Sequence, residues 1–266
     1  MSRVLVTGAG SGLGAALARA FARRGDRVLV TDVDGDAAEA VAADIGAEHR
    51  ALDVTAAGDW TAARAWCEEY WAGLDVLVNN AGVGSGGRFE RVPAEDWDWI
   101  WEINVRGVVR GCAEFVPLFK AAGSGHLVNI ASLAAIMNLP GMASYNVTKA
   151  GVLALSETLK HELAPYGIST SVVCPGFFQT NLNDRLRTPD PAALKLSRKL
   201  MASSPVTADD VAARVVAAVA ERRFLVHTHA VGRRSHLLKR LLPRLSDRQV
   251  AKYWAKIRPA MEKESP

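Results

Sequence analysis

Eight residues near the start of the chain, Thr7-Gly8-Ala9-Gly10-Ser11-Gly12-Leu13-Gly14, restrict what it can fold into more than any other stretch. An apolar run, Val4-Leu5-Val6, breaks directly into them, and beyond them Leu13, Leu17 and Phe21 recur at the spacing of one helix face. The pattern is a strand, a glycine turn and a helix. Glycines let the turn close tightly and let a bulky anion approach the backbone. The helix that follows aims its free N–H groups and the positive end of its dipole at the same point. A pyrophosphate fits such a place, although a glycine-rich turn alone also suits an ordinary strand-to-helix connection.

The next apolar run, Val28-Leu29-Val30, ends at Asp32, which follows the glycines at the distance of roughly 20 residues expected of a ribose-binding acid. A carboxylate there accepts hydrogen bonds from ribose hydroxyls and repels a 2′-phosphate, favouring NAD over NADP. Further strands are expected to end at Leu52-Asp53-Val54-Thr55, Val76-Leu77-Val78, His126 to Ile130, Ser169 to Val173 and Phe224-Leu225-Val226. Helical segments separate them, so the fold class is α/β: one Rossmann-like, doubly wound parallel sheet of about seven strands with helices on both faces. Ligands in such sheets lie at the strand carboxyl ends, where Asp53, Val54 and Asn79-Asn80-Ala81-Gly82 also fall.

Residues 95 to 121 read as one long helix with Asn104 inside it. Trp97, Trp99 and Trp101 stand at every second position, so helical spacing cannot bury all three. Residues 181 to 206 are polar and broken by Pro189, Pro191 and Pro205, whereas Thr207 and Asp210 form a capping-box start for another helix.

Tyr145 and Lys149 are four residues apart and share a helix face. A phenol with a pKa of about 10 is a poor acid or base near neutrality, and an adjacent ammonium lowers that value. Ser132, at the end of the preceding strand, is placed to hydrogen-bond the same substrate oxygen. Taken alone, a Tyr-x-x-x-Lys pair also occurs on solvated helix faces.

Taken in order, Thr7-Gly8-x-x-x-Gly12-x-Gly14, Asp53, Asn79-Asn80-Ala81-Gly82, Asn104, Ser132, Tyr145-x-x-x-Lys149, Pro175-Gly176 and Thr180 closely resemble the short-chain dehydrogenase/reductase family in its shorter, single-domain branch. The resemblance covers residues 1 to 230 and implies hydride transfer between a nicotinamide and a secondary alcohol or ketone, without a metal. It implies that Tyr145 is the general acid/base and also touches the cofactor, that Lys149 lowers its pKa and binds the nicotinamide ribose, and that Ser132 stabilises the substrate oxygen. Asn104 would hold a water that links Lys149 to solvent. Gly8, Ser11, Gly12, Leu13, Gly14 and Asp32 would meet the phosphates and adenosine, and Asp53 and Val54 the adenine. Asn80, Ala81 and Gly82 would pack beside the cofactor, while Pro175, Gly176 and Thr180 would form the wall near the carboxamide. Homotetramers or homodimers are usual in the family. An NAD(H)-binding sensor or scaffold without turnover is the alternative, which loss of Tyr145, Lys149 or Ser132 would have favoured.

Ile136, Met137, Leu139, Met142, Phe177 and Phe178 are candidate pocket linings that favour an apolar substrate, though such residues also serve as core. Cys67, Cys112 and Cys174 are odd in number and unpaired in spacing, so they read as buried reduced thiols rather than a disulfide framework. His227 and His229 alternate without a third ligand and are read as structural or pocket groups rather than a metal site. With a strand starting at the third residue and no apolar run of roughly 20 residues, a cytoplasmic location is expected.

The net charge of +4 is uneven: residues 222 to 266 hold 12 Lys/Arg and 3 Asp/Glu, a local +9, leaving 4 − 9 = −5 for the remainder. From 231 to 266 the chain reads as a basic amphipathic helix or helix pair packed on the same domain, at the substrate mouth or a neighbouring subunit. Contact with an anionic membrane is the sharper alternative, and nucleic acid is not expected.

Overall fold

The computed structural model of the chain describes residues 1–263. Among them seven strands, β1 (Arg3–Thr7), β2 (Arg27–Asp32), β3 (Glu48–Ala51), β4 (Val76–Asn79), β5 (Gly125–Ile130), β6 (Ile168–Cys174) and β7 (Leu225–His227), form one parallel sheet in the order β3-β2-β1-β4-β5-β6-β7. The helices are α1 (Gly12–Arg23), α2 (Gly35–Ile45), α3 (Ala57–Trp71), α4 (Ala94–Trp101), α5 (Gly107–Ala122), α6 (Ala134–Met137), α7 (Ala143–Leu163), α8 (Pro191–Ala202), α9 (Ala208–Ala220), α10 (Ala230–Leu241) and α11 (Pro243–Lys263).

The central strands β1, β2 and β4 are mostly apolar on both sides because both sides are covered, whereas the edge strand β3, Glu48-His49-Arg50-Ala51, is polar and partly exposed. Register sorts the side chains by size. Leu5 pairs with Leu29 and Leu77, and Leu77 with Leu127, so four leucines cross one face in a row. Trp60, Phe115, Phe119 and Val152 from α3, α5 and α7 close over them. Valines at 4, 6, 28, 30, 76 and 78 fill the opposite face beneath Leu17, Phe21, Val41, Val211 and Val215 of α1, α2 and α9. All four leucines are fully buried, and each contributes about 1.5–3 kcal/mol relative to an exposed side chain.

Several elements differ from the sequence reading. β3 stops at Ala51, before Leu52. Asp53 Oδ1 accepts from both Thr55 N and Thr55 Oγ1 at 2.8 Å, and Asp53 N donates to Asp59 Oδ2 at 2.8 Å, so side chains take over the backbone where a ladder would continue. β7 begins one residue later than expected, at Leu225. The long helix around Asn104 is interrupted by a π-helical segment, Glu102–Arg106, between α4 and α5. Residues 181 to 206 contain α8, because Pro191 occupies the first turn, where a missing N–H costs nothing. Of the three tryptophans, Trp97 meets Phe89 edge-on, Trp99 lies beneath the Arg187 guanidinium at 3.9 Å, and Trp101 is 42% exposed.

The basic C-terminal segment folds as the pair α10 and α11. Lys239 Nζ donates to the Ile136 carbonyl of α6 at 2.6 Å, α11 rests on α8, and buried Met261 lies against Gly141. Cys67, Cys112 and Cys174 are free and buried, and burial pushes each thiol up to about 12.

One buried base sets an acid limit on the fold. His126 shares a 2.8 Å hydrogen bond with Ser171 Oγ, and burial lowers its pKa from 6.5 to about 4, assisted by Arg222 and Arg24. Between those values the unfolded chain binds more protons, so stability falls as the pH drops from 6.5 towards 4, by up to about 3 kcal/mol. Denaturant titrations across this range are expected to show that slope, and His126→Gln to flatten it. An equally steep profile in the variant would assign the loss to other groups.

Candidate active site

The sheet order reverses between β1 and β4, and the crevice beyond their carboxyl ends is the expected ligand position. Thr7 and Asn80 bind these two strand ends together. Thr7 Oγ1 accepts from Asn80 N at 3.0 Å and Ala81 N at 3.1 Å, while Asn80 Nδ2 donates to the Thr7 and Gly8 carbonyls at 2.8 and 3.1 Å. Gly8 turns with φ +63°, and a Cβ there would fall 2.8 Å from Ala81 Cα. The side chain of Ser11 makes no capping bond to α1, and no acidic residue occupies its first turn, so the positive end of the helix faces the crevice uncompensated. Asp32 is held at the tip of β2: Oδ2 accepts from Gly10 N at 2.9 Å and Oδ1 from Asp34 N at 3.1 Å.

At the other end Ser132 follows β5, its Oγ accepting from Ala134 N at 3.1 Å. Tyr145 and Lys149 stand in the first turns of α7. The Lys149 side chain is buried, donates to the Ile130 carbonyl at 2.9 Å, and places Nζ 5.8 Å from the Tyr145 ring centre. Desolvation lowers its pKa to about 8, offset in part by Cys174. Tyr145 shifts in the direction opposite to that expected from the pair: burial raises the phenol, and only the hydrogen-bonded Ser132 hydroxyl draws it back. The lysine is spent on a backbone carbonyl, so desolvation prevails.

One cavity of about 1050 Å³ joins these groups. Gly8, Ser11, Gly12, Leu13 and Gly14 line it from the first turn, Asp32 from β2, Asp53 and Val54 from the loop after β3, and Asn80, Ala81 and Gly82 from beyond β4. Ser132, Tyr145 and Lys149 line it with Pro175, Gly176 and Thr180 from the segment after β6. Asn104 stands behind the wall, fully buried. Its Oδ1 accepts from Val83 N at 2.8 Å, and its Nδ2 donates to Val83 O at 2.9 Å and Thr148 Oγ1 at 3.4 Å.

Met137, Leu139, Met142, Phe177 and Phe178 line the cavity, whereas Ile136 is packed in the core. Sequence reasoning missed Trp99, Leu182, Leu186 and Met201, which line it from α4 and from the 181–202 segment. The sequence places the pocket under residues 181 to 206 without singling out these side chains, and within that segment Pro191 starts α8 instead of breaking the chain. His227 and His229 turn to separate partners: His227 Nε2 lies 3.2 Å from His236 Nδ1, while His229 accepts from Gly176 N at 3.0 Å and bonds the Phe177 carbonyl at 3.0 Å. His229 thereby fixes the wall that carries Pro175 and Gly176.

Residues 2–191 match the family model described as short chain dehydrogenase. The chain is 38% identical over 226 residues to 2-(R)-hydroxypropyl-CoM dehydrogenase of Xanthobacter autotrophicus, covering 79% of this chain and 90% of that protein. The chain belongs to the short-chain dehydrogenase/reductase family. It superposes on a short-chain dehydrogenase/reductase from Burkholderia phymatum in complex with NAD with a TM-score of 0.83, at 33% identity and covering 90% and 94% of the two chains. The probable oxidoreductase EphD of Mycobacterium tuberculosis is 39% identical over 188 residues, which span 67% of this chain and 31% of that longer protein.

As a short-chain dehydrogenase/reductase the protein is an NAD(P)-dependent oxidoreductase acting on hydroxyl groups, and these relatives give no support to a sensor without turnover. The crevice suits the nucleotide: glycine takes the places where a Cβ would collide with backbone, and an uncapped helix end faces the space a pyrophosphate needs. No helix among the described residues is long and apolar enough to cross a membrane.

Proposed function

We propose that the protein transfers hydride reversibly between NAD and a bulky, apolar secondary alcohol or its ketone, with Tyr145 as the acid/base. The observation that carries this reading is the convergence of the Tyr145 phenol, the Ser132 hydroxyl and the Lys149 ammonium on one wall of a cavity lined as well by Trp99, Met142, Phe177, Leu182, Leu186 and Met201, with Asp98, Glu102, Asp184 and Arg185 also on its lining. Nicotinamide, when bound, supplies a carbon centre that accepts or returns hydride.

The chain's own residues do the rest. Ser132 donates a hydrogen bond to the substrate oxygen, holding it beside the phenol, and Tyr145 takes the hydroxyl proton in oxidation or returns it in reduction. Lys149, a cation below its pKa of about 8, stands on the same wall and would donate to the nicotinamide ribose. Asn104 acts as a positioning residue in this scheme. By bonding both backbone groups of Val83 it holds the loop in which Gly82 lies against Lys149, where a Cβ would come within 3.3 Å of Nζ. Gly8, Ser11, Gly12, Leu13 and Gly14 take the pyrophosphate, Asp32 the adenosine ribose, Asp53 and Val54 the adenine, Asn80 and Ala81 the middle of the nucleotide, and Pro175, Gly176 and Thr180 the carboxamide end.

The choice of NAD over NADP rests on Asp32, whose carboxylate is held by two backbone N–H groups and borders the cavity. Asp32→Ser is expected to shift the ratio of kcat/KM values towards NADP by about 10²-fold, the size of a lost charged hydrogen bond plus relieved repulsion. Steady-state rates with each nucleotide measure it, and an unchanged ratio would remove Asp32 from the selection.

Self-association into a homodimer or homotetramer is part of the proposal, supported by exposed Trp101, Val109 and Val147 on α4, α5 and α7. A cytoplasmic site of action is supported by the three unpaired thiols. The decisive experiment incubates the protein with NAD and secondary alcohols ranging from short diols to acyl chains and steroids, following NADH. Higher kcat/KM for the larger apolar members is expected. Preference for short polyols would overturn the substrate class, and absence of turnover throughout would overturn the reaction.

A further inference from the structure

The face of α10 turned away from the sheet carries large apolar side chains in water. Leu237 and Leu241 stand one helical turn apart and are 52% and 70% exposed. Leu242 and Leu245 continue the patch across the junction with α11 at 56% and 43%. Arg233, Arg234 and Arg240 flank the two leucines of α10, and Arg244 and Arg248 flank the junction. None of these five arginines forms an ion pair among the described residues. From residue 222 to 261 the sequence holds a single acidic residue, Asp247.

This face fits one occupant better than the others. A second copy docked symmetrically would set arginines against arginines with almost no acid between them. A nucleic acid would take the arginines and leave the leucines wet. An anionic lipid surface takes both, with leucines entering the acyl boundary while the long arginine side chains reach back to the phosphates. The uneven charge of the chain, +9 from residue 222 onward and −5 before it, orients the molecule with this face towards a negative surface.

We propose that the α10–α11 junction is a membrane-docking surface that inserts Leu237, Leu241, Leu242 and Leu245 into the interface of an anionic bilayer. The helix pair is anchored to the elements that wall the cavity. Lys239 holds α6, whose Met137 is a lining residue, and α11 packs on α8, which carries Met201. Docking would thus set the cavity walls beside the lipid. The interaction stands or falls independently of which alcohol the enzyme uses.

Flotation of the full-length protein with phosphatidylcholine vesicles containing about one-third phosphatidylserine tests it, with pure phosphatidylcholine as the reference. Binding is expected on the anionic vesicles, at least about tenfold weaker on the neutral ones and at about 0.5 M salt. Leu237→Ser with Leu241→Ser should lower anionic-vesicle binding about tenfold at unchanged melting temperature, because both side chains are exposed in the fold. Arg240→Gln with Arg244→Gln and Arg248→Gln should lower it similarly and weaken the salt dependence. No flotation of the wild-type protein overturns the proposal, as does leucine-independent binding, which would be charge adsorption alone. Loss of an oligomer in the leucine variant, seen by light scattering without any lipid binding, would assign the face to a second copy instead.

Discussion

Tyr145→Phe is expected to lower kcat in both directions by roughly 10²–10⁴-fold while leaving the Kd for NADH within about threefold of the wild-type value. The phenol contributes one hydroxyl, hydrogen-bonded to Ser132 at the cavity wall, so its removal would delete the proposed proton carrier and leave the glycine turn and Asp32 untouched. The wild-type pH profile carries the complementary sign. Burial holds the phenol above its ordinary value, which places its deprotonation in the alkaline range. Alcohol oxidation needs the deprotonated phenol and is expected to accelerate as pH rises through the alkaline range. Ketone reduction uses the protonated form and should lose rate there. Stopped-flow single turnovers separate this step from product release. Turnover retained by the Phe variant, or a wild-type chemical step indifferent to pH, would end the assignment of Tyr145 as base.

The second large effect lies in the backbone. A Cβ at Gly14 would fall 2.6 Å from Asn80 Nδ2 and 2.7 Å from the Gly8 carbonyl carbon, inside the clamp that ties β1 to β4. Gly14→Ala must therefore push α1 away from the turn, moving the N–H groups that would face pyrophosphate. The expected result is a Kd for NADH raised more than tenfold, with about 1–3 kcal/mol of lost stability from overpacking and a Tm lower by about 2–5 °C for a chain of this length. Gly58→Ala is the control. That glycine lies in α3 with no neighbour within 4 Å of an added Cβ, and the substitution should be neutral or mildly stabilising. Isothermal titration and calorimetric melting read both variants. Normal NADH binding by Gly14→Ala would show that the turn tolerates a side chain.

Much of the molecule was legible before any coordinates. Valine and leucine runs broken by helical periodicity require a covered parallel sheet, since only a sheet buried on both faces keeps strands apolar on both sides. The register that lines up Leu5, Leu29, Leu77 and Leu127 follows from those runs once they pair. The glycine turn and Asp32 were equally plain, because backbone sterics and the charge at a strand end are local properties. The same holds for the Thr207–Asp210 capping box, whose reciprocal bonds form within one turn.

What the sequence by itself determined, then, is the doubly wound sheet, the family and the residues at the strand ends, all set by short-range patterns of polarity and chain flexibility. Tertiary structure alone decided that Asn104 braces Val83 from behind the wall, through a π-helical insertion that no periodicity reveals. It decided as well that Lys149 spends a bond on Ile130, so that burial rather than charge sets the Tyr145 pKa. Pro191 starting a helix over the cavity, and four leucines of the C-terminal pair left in water, belong to the same class. Desolvation and long-range contact depend on what the rest of the chain brings near a residue, and a linear pattern does not carry that information.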